Sequence, residues 1–154
     1  MKYLITGVNG FTGKYLKKTL TTSNNEVYGT SYSDCNDPFI FKCDITNKDE
    51  IFNILEKVRP DFIIHLAAIS FVKSDAVMMY KTNVIGSLNL LDSICTLKLN
   101  PKKIIIASSA AVYGNSEGLL NEFHQTFPIN HYGNSKLAME NMTSNYFDKL
   151  NIII

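Results

Sequence analysis

Near its start the 154-residue chain reads Tyr3-Leu4-Ile5-Thr6-Gly7-Val8-Asn9-Gly10-Phe11-Thr12-Gly13. The first four residues predict a β-strand and those from Phe11 predict a helix, so a G-x-x-G-x-x-G turn joins the two. Residues without Cβ let a backbone approach a pyrophosphate held at a helix N-terminus, although a tight turn also needs glycine for packing alone. We interpret the turn as a dinucleotide-binding loop, with the expected contacts Gly7, Asn9, Gly10, Phe11, Thr12 and Gly13.

The rest of the chain alternates short β-rich runs with helical patterns, which predicts a parallel sheet covered by helices. The predicted strands are 3–6, 26–30, 39–43, 61–66 and 103–107, and a sixth begins at Asn151. The predicted helices are 11–20, 47–58, 75–99 and 132–150. The apolar side chains expected to face inward are Phe11, Tyr15, Leu16 and Leu20 in the first helix and Ile51, Ile54, Leu55 and Val58 in the second.

The fold class is therefore α/β, a doubly wound parallel sheet of the NAD(P)-binding Rossmann type in one domain over residues 1–154. The last residues are Asn151-Ile152-Ile153-Ile154, so the chain stops inside the sixth predicted strand. An exposed apolar strand offers an unpaired edge to aggregation. We expect the chain to be a fragment of a longer protein.

Composition excludes several classes of partner. The chain is 45% hydrophobic and 19% charged, with a net charge of +1 and no basic tract, so neither nucleic acid nor a membrane surface is expected as a partner. Met1-Lys2 leads directly into the first predicted strand, so we expect no signal segment, and no apolar run is long enough to span a bilayer. Cys35, Cys43 and Cys95 form no C-x-x-C pair, which indicates free thiols in a reducing cytoplasm and no metal site.

A second motif is Tyr132-Gly133-Asn134-Ser135-Lys136, in which tyrosine and lysine lie four residues apart on one helix face. A lysine ammonium beside a phenol favours the phenolate, and a proton donor of this kind suits hydride chemistry at a carbonyl or alcohol. Ser108-Ser109 lies upstream on a predicted loop. The three segments together predict an oxidoreductase site.

The choice of dinucleotide should be visible at the end of the second strand, where an acid would hold a ribose 2′-hydroxyl. The residues there are the uncharged Thr30-Ser31-Tyr32-Ser33, whose hydroxyls can donate to a 2′-phosphate. Asp34 lies a little late to serve, and no arginine is near. The pattern favours NADP(H), with Ser31 as a contact and NAD as the alternative.

Two further segments follow predicted strands. Asp44-Ile45 comes after the third, where the carboxylate can accept from an adenine amino group or act as an ordinary acid before a helix. His65-Leu66-Ala67-Ala68 ends the fourth strand with small residues, as a chain running under a bound cofactor would. We expect His65 to be a packed strand residue.

Together these segments resemble the extended branch of the short-chain dehydrogenase/reductase superfamily, the nucleotide-sugar epimerase/dehydratase group. The motifs that carry the resemblance are Thr6 to Gly13, Asp44-Ile45, His65 to Ala68, Asn83-Val84-Ile85-Gly86-Ser87, Ser108 to Gly114 and Tyr132-x-x-x-Lys136. The resemblance implies Ser109 as catalytic serine, Tyr132 as acid/base and Lys136 as its partner on the nicotinamide ribose. It also implies cofactor contacts at Asp44, Ile45, Leu66, Ala67, Ala68 and Asn83, a missing C-terminal substrate domain, and a homodimer of the intact protein.

Departures from the resemblance narrow the expected chemistry. An Asp-Glu or Ser-Glu pair follows the catalytic threonine in the group's 4,6-dehydratases, whereas this chain has Ala110 and Ala111, which transfer no protons. The resemblance then implies reduction of an NDP-4-keto-6-deoxyhexose in polysaccharide biosynthesis, and the expected NADP(H) favours this over the alternative, an NAD-dependent 4-epimerase. A second alternative is a non-catalytic dinucleotide-binding fragment, because a piece without a substrate domain is expected to be inactive.

Overall fold

A six-stranded parallel sheet forms the centre of the protein, whose computed structural model describes residues 1–70, 75–115 and 118–154. Its strands are β1 (Lys2–Thr6), β2 (Glu26–Ser31), β3 (Ile40–Lys42), β4 (Phe62–His65), β5 (Lys103–Ile106) and β6 (Ile152–Ile153). They lie in the order β3-β2-β1-β4-β5-β6, and every neighbouring pair is parallel. The direction of winding reverses between β1 and β4, which confirms the predicted doubly wound sheet.

Helices connect these strands. They are α1 (Phe11–Thr22), α2 (Lys48–Val58), α3 (Ala76–Tyr80), a π-helical segment (Lys81–Ile85), α4 (Gly86–Thr96) and α5 (His131–Thr143), with 3₁₀ turns at Ala110–Tyr113 and Ser144–Tyr146. The predicted helix 75–99 is thus interrupted by π-helical geometry, which often occurs at functional sites. The predicted helix 132–150 ends earlier as an α-helix, at Thr143.

The core has one cluster on each face of the sheet, because successive strand residues point to opposite sides. Leu4 and Ile63 belong to the larger cluster, which packs against α2, α4 and α5. Ile5 and Ile64 belong to the smaller cluster, which packs against Leu16 and other residues of α1. Covering both faces explains why the strand sequences are almost continuously apolar. The four residues predicted to face inward from α2 are all buried.

The predicted inward orientation of Phe11 and Tyr15 is wrong. Their exposed fractions are 82% and 64%, and the two rings contact each other edge to face on the surface. The buried residue of α1 is Gly13, where an added Cβ would come within 2.5 Å of the Val8 carbonyl oxygen. Because each residue turns the helix by about 100°, positions two before and two after Gly13 lie on the opposite side.

This orientation gives a stability prediction. Tyr15→Ala should change the free energy of unfolding by less than about 0.5 kcal/mol, because the side chain is largely solvated. Leu55→Ala should lower it by about 2–5 kcal/mol, because Leu55 is completely buried in the larger cluster. Urea unfolding followed by circular dichroism checks both. Equal losses in the two variants would contradict the packing of α1.

Candidate active site

The glycine turn brings the end of β1 against the end of β4. Gly7 has a φ of +66°, and an added Cβ would come within 2.8 Å of the backbone nitrogen and Cα of Ala67. The Thr6 hydroxyl oxygen accepts the backbone N–H groups of Leu66 at 3.2 Å and Ala67 at 3.1 Å. Gly7 is therefore required by local conformation and by the contact between the two strand ends.

Packing constrains Gly10 less than Gly7. It is the N-cap of α1 with no side-chain cap, and an added Cβ would meet only the Gly7 carbonyl oxygen, at 3.2 Å. The first turn of α1 contains no acidic residue. Its N–H groups point toward space in which the helix dipole favours an anion, so this helix end fits a pyrophosphate. Phe11 and Thr12 in that turn are both exposed.

A cavity of about 450 Å³ lies beside this turn, at the carboxyl ends of the strands. Six predicted cofactor contacts line it, namely Gly7, Ser31, Asp44, Ile45, Ala67 and Ala68. Asn9 lies next to it, because its side-chain amide donates to the Ser31 hydroxyl oxygen at 2.9 Å. Met78 and Thr82 also line the cavity. Neither was a predicted cofactor contact, because the sequence did not indicate which face of their helix would meet the cavity.

Asp44 organises the turn between β3 and α2. Its Oδ1 accepts the backbone N–H of Thr46 at 2.9 Å and the Thr46 hydroxyl at 2.7 Å. Asn47 is the N-cap of α2, accepting the Asp49 N–H at 3.1 Å, so the helix does not depend on Asp44 for its cap. The position of Asp44 in the cavity wall therefore favours the ligand-facing alternative over the ordinary helix acid.

The segment after β5 contains Ser109 and packs against the start of α5. Ser109 is the N-cap of a 3₁₀ turn, and its hydroxyl oxygen accepts the Ala111 N–H at 3.2 Å. An added Cβ at Gly133 would lie 2.5 Å from the Ala111 carbonyl oxygen, so this turn packs directly on the first turn of α5. The structure thereby brings the segment of Ser109 together with the helix turn that contains Tyr132, and both residues are half-buried.

Lys136 lies one helical turn beyond Tyr132 and is 6% exposed. Its Nζ donates to the Ala107 carbonyl oxygen at 2.8 Å. Burial lowers the pKa of Lys136 to about 8, against the opposing effect of the Glu140 carboxylate. The Ser108 hydroxyl donates to that carboxylate, so two side-chain hydrogen bonds join α5 to the segment after β5. Glu140 was not among the predicted site residues, although its spacing of four from Lys136 was a usable signal.

A buried hydrogen-bond network surrounds His65. The ring Nδ1 lies 2.6 Å from the Thr6 hydroxyl oxygen, and Nε2 lies 2.8 Å from the Ser87 hydroxyl oxygen. The Ser87 hydroxyl donates to the Asn83 carbonyl oxygen at 2.7 Å, so Nε2 must be the donor to Ser87, and Nδ1 accepts from Thr6. Burial, followed by the charge of Lys136, lowers the pKa of His65 to about 3. The ring is packed, as predicted, and the low pKa makes it neutral.

Asn83 continues this network to α5. Its Oδ1 accepts the Ile69 N–H at 2.8 Å, while Nδ2 donates to the Ile69 carbonyl at 3.0 Å and to the Ser135 hydroxyl oxygen at 2.9 Å. The Ser135 hydroxyl donates in turn to the Tyr132 carbonyl oxygen at 2.8 Å. Asn83 is 1% exposed, so it lies behind the cavity wall, where it holds α5 in place. Its direct contact with a cofactor stays a prediction.

Three other kinds of functional feature are clusters of metal ligands, membrane-spanning helices and reactive thiols. Residues 1–70, 75–115 and 118–154 contain no group of three or more potential metal ligands. No helix within these ranges is long and apolar enough to cross a membrane. The three cysteines are free, and burial raises the pKa of the Cys43 thiol to about 12, which makes it a poor nucleophile.

Comparison with known proteins identifies relatives of the whole chain. A family model described as GDP-mannose 4,6 dehydratase matches residues 4–154. GDP-6-deoxy-D-talose 4-dehydrogenase of Aggregatibacter actinomycetemcomitans is 38% identical over 149 residues, which cover 95% of this chain and 48% of that protein. UDP-glucose 4-epimerase of Lactobacillus helveticus is 30% identical over 151 residues, covering 91% of this chain and 45% of that protein.

A solved structure with the same fold is the UDP-glucose 4-epimerase of Thermus thermophilus in complex with NAD. It is 27% identical, with a TM-score of 0.87, over 96% of this chain and 51% of that chain. The present chain therefore spans about half the length of the relatives it matches.

The buried Lys136 gives a pH-dependent stability prediction. The pKa of lysine is 10.5 in an unfolded chain and burial lowers that of Lys136 to about 8, so between these values the unfolded chain binds more protons and folding gains stability as pH rises. Below pH 8 the cost of the buried charge is present in full. Lys136→Met should therefore stabilise the protein at pH 7 by about 1–3 kcal/mol, and this gain should shrink toward pH 10.

Urea unfolding at pH 7 and pH 9.5 measures the effect, with Lys102→Met as control, because Lys102 is exposed at the opposite end of the sheet. The control variant should show no comparable pH-dependent difference from the original chain. A loss of stability in Lys136→Met that is equal at both pH values would contradict the buried charge.

Proposed function

Because this chain belongs to the GDP-mannose 4,6-dehydratase family, we propose that the protein containing it is an NAD(P)-dependent oxidoreductase of nucleotide sugars, which reduces the 4-keto group of an NDP-4-keto-6-deoxyhexose. The observation that carries the proposal is the juxtaposition of two segments. The Ser109 turn packs on the first turn of α5, and the Tyr132–Lys136 face of that helix begins at the contact. The cavity at the sheet edge lies next to Asn83, which holds the same helix.

The residues around Ser109 favour reduction over dehydration. Removal of water from a sugar needs a second acid and base, and the two positions that follow Ser109 are Ala110 and Ala111. Neither side chain can transfer a proton. A ketone reduction needs only one proton donor, a group that holds the carbonyl oxygen and a hydride source.

Each residue has a distinct role in this proposal. Ser109 accepts from the Ala111 N–H and so keeps its own hydroxyl hydrogen for the sugar carbonyl oxygen. Tyr132 donates the proton to that oxygen. Lys136, cationic below pH 8, exchanges its bond to the Ala107 carbonyl for the hydroxyls of a ribose and lies on the helix face of Tyr132. When bound, a nicotinamide cofactor supplies the hydride.

Cofactor binding is supported by the uncapped turn at Gly10 and by the lining of the cavity. Ser31 is uncharged and 6% exposed, and it accepts a hydrogen bond from Asn9, so its hydroxyl hydrogen can be donated to a ligand. No carboxylate at this position opposes a 2′-phosphate. We therefore propose NADP(H) as the preferred cofactor.

A second candidate function is 4-epimerisation with retained NAD. It is favoured by the name of the Lactobacillus helveticus relative, UDP-glucose 4-epimerase, and by the solved epimerase in complex with NAD. The same serine, tyrosine and lysine serve this reaction. The difference lies in whether the reduced cofactor exchanges with solution.

One assay separates the two functions. The complete protein that contains this chain should be mixed with NADPH and a panel of NDP-4-keto-6-deoxyhexoses while the absorbance of the reduced nicotinamide is followed. We expect stoichiometric NADPH consumption with at least one of these sugars. No consumption, together with interconversion of NDP-hexose epimers by protein that retains NAD, would replace reduction by epimerisation.

The catalytic assignment predicts unequal effects in two variants of the complete protein. Tyr132→Phe should lower kcat by about 10²–10⁴-fold and leave cofactor affinity little changed, because only the proton donor is lost. Ser109→Ala should lower kcat by about 10²–10³-fold, as for one lost oxyanion donor. Steady-state kinetics and cofactor titration measure both. Near-normal turnover in Tyr132→Phe would mean that the proton comes from another group.

A further inference from the structure

Lys42 is the last residue of β3 and lies directly beside Ser31, the last residue of β2. The two are register partners in the parallel pair, and the backbone N–H of Cys43 donates to the Ser31 carbonyl oxygen at 2.8 Å. Partner residues on adjacent strands point to the same face of a sheet, with their strands about 4.8 Å apart. The stem of Lys42 therefore begins next to the hydroxyl that lines the cavity.

The Lys42 ammonium is held by Asp34. The Nζ to Oδ2 distance is 2.8 Å, and the hydrogen bond to Asp34, followed by its negative charge, raises the pKa of Lys42. Both side chains are well exposed, at 62% and 81%. A surface ion pair of this kind contributes little to stability. Lys42 can therefore leave Asp34 for another anion at little cost.

This pair lies in an open depression that adjoins the cofactor cavity. The depression is lined by Tyr32, Ser33, Asp34, Lys42, Asp44 and Glu50, and it shares Tyr32 and Asp44 with the cavity. Among the described residues that line the two spaces, Lys42 is the one cation. A 2′-phosphate on a ribose bound at Ser31 would therefore lie near the place where the cavity and the depression meet.

We propose that Lys42 is the residue that recognises a 2′-phosphate on the dinucleotide, and that Asp34 is the counter-ion it exchanges for that phosphate. The inference rests on the NADP(H) preference proposed above and assigns it to a specific cation. No arginine lies near the end of β2 in the sequence, and the positive charge comes instead from a lysine on the neighbouring strand.

The exchange makes the contribution of Lys42 specific to a phosphorylated ribose. With NAD, the Lys42 ammonium keeps its hydrogen bond to Asp34, and the pair contributes nothing to cofactor affinity. With NADP, a phosphate dianion replaces a single carboxylate and also accepts from Ser31, while Asp34 is repelled into solvent. Removing Lys42 should therefore weaken the binding of NADP and leave the binding of NAD unaffected. Removing the charge of Asp34 should strengthen the binding of NADP.

The experiment is a titration of the protein with NADP⁺, NAD⁺ and 2′,5′-ADP by calorimetry in about 50 mM salt, where screening is weak. The variants are Lys42→Gln, Lys42→Arg and Asp34→Asn, and Lys102→Gln serves as control because it removes an exposed positive charge at the far end of the sheet. Lys42→Gln should raise the Kd for NADP⁺ and 2′,5′-ADP by about 5–20-fold and change the Kd for NAD⁺ by less than about 2-fold.

The other variants give the opposite or a neutral result. Asp34→Asn should lower the Kd for NADP⁺ by about 2–5-fold. Lys42→Arg should retain most of the affinity for NADP⁺, and Lys102→Gln should bind all three ligands with the Kd values of the unmodified protein. The preference for NADP⁺ should also decrease at about 300 mM salt, because the pair is exposed and salt screens it.

Three results separate failure of this inference from failure of the proposed function. A clear NADP⁺ preference that Lys42→Gln leaves intact overturns the role of Lys42 alone. Equal loss of NADP⁺ and NAD⁺ in that variant also overturns it, because the effect would then be structural. Equal Kd values for NADP⁺ and NAD⁺ in the unmodified protein overturn both this inference and the proposed cofactor choice, while sugar reduction with NADH would remain to be measured by the absorbance assay.

Discussion

The buried His65 ring connects the strand end before the glycine turn to α5, the helix that carries the proposed catalytic residues Tyr132 and Lys136. Thr6 at the end of β1 donates to one ring nitrogen, and the other donates to Ser87, which continues to Asn83 and from there to Ser135 on α5. Each of these groups is almost fully buried, so an unpaired member would cost more than a surface hydrogen bond contributes. The network therefore fixes where α5 lies relative to the strand that begins the glycine turn.

The position of α5 has an electrostatic consequence. Lys136 is held beneath the segment after β5 with its Nζ on the Ala107 carbonyl oxygen, and Glu140 reaches the same segment through Ser108. The fold thus keeps an ammonium where burial opposes its charge, close to the half-buried Tyr132 of the same helix face. A group that lowers stability and yet occupies this position is typical of a functional site, where activity and stability conflict.

Local patterns predicted the strands, their parallel arrangement and the residues of the glycine turn, because apolar runs and glycine spacing are read directly from the chain. They failed for Phe11 and Tyr15, since periodicity alone does not reveal that Gly13 marks the buried stripe of α1. The π-helical segment has no comparable sequence signal. The proposed role of Lys42 was not predicted, because it rests on strand pairing with Ser31, which joins residues that are distant in sequence.

We propose that one dinucleotide lies across the carboxyl edge of the sheet, from the uncapped turn of α1 to Lys136. A crystal structure of the protein with NADP⁺ would locate it. We expect the pyrophosphate within hydrogen-bonding distance of the N–H groups at Phe11 and Thr12, and the nicotinamide ribose on the Lys136 Nζ in place of the Ala107 carbonyl. A dinucleotide bound elsewhere, or Lys136 still bonded to Ala107 with the ribose out of reach, would contradict it.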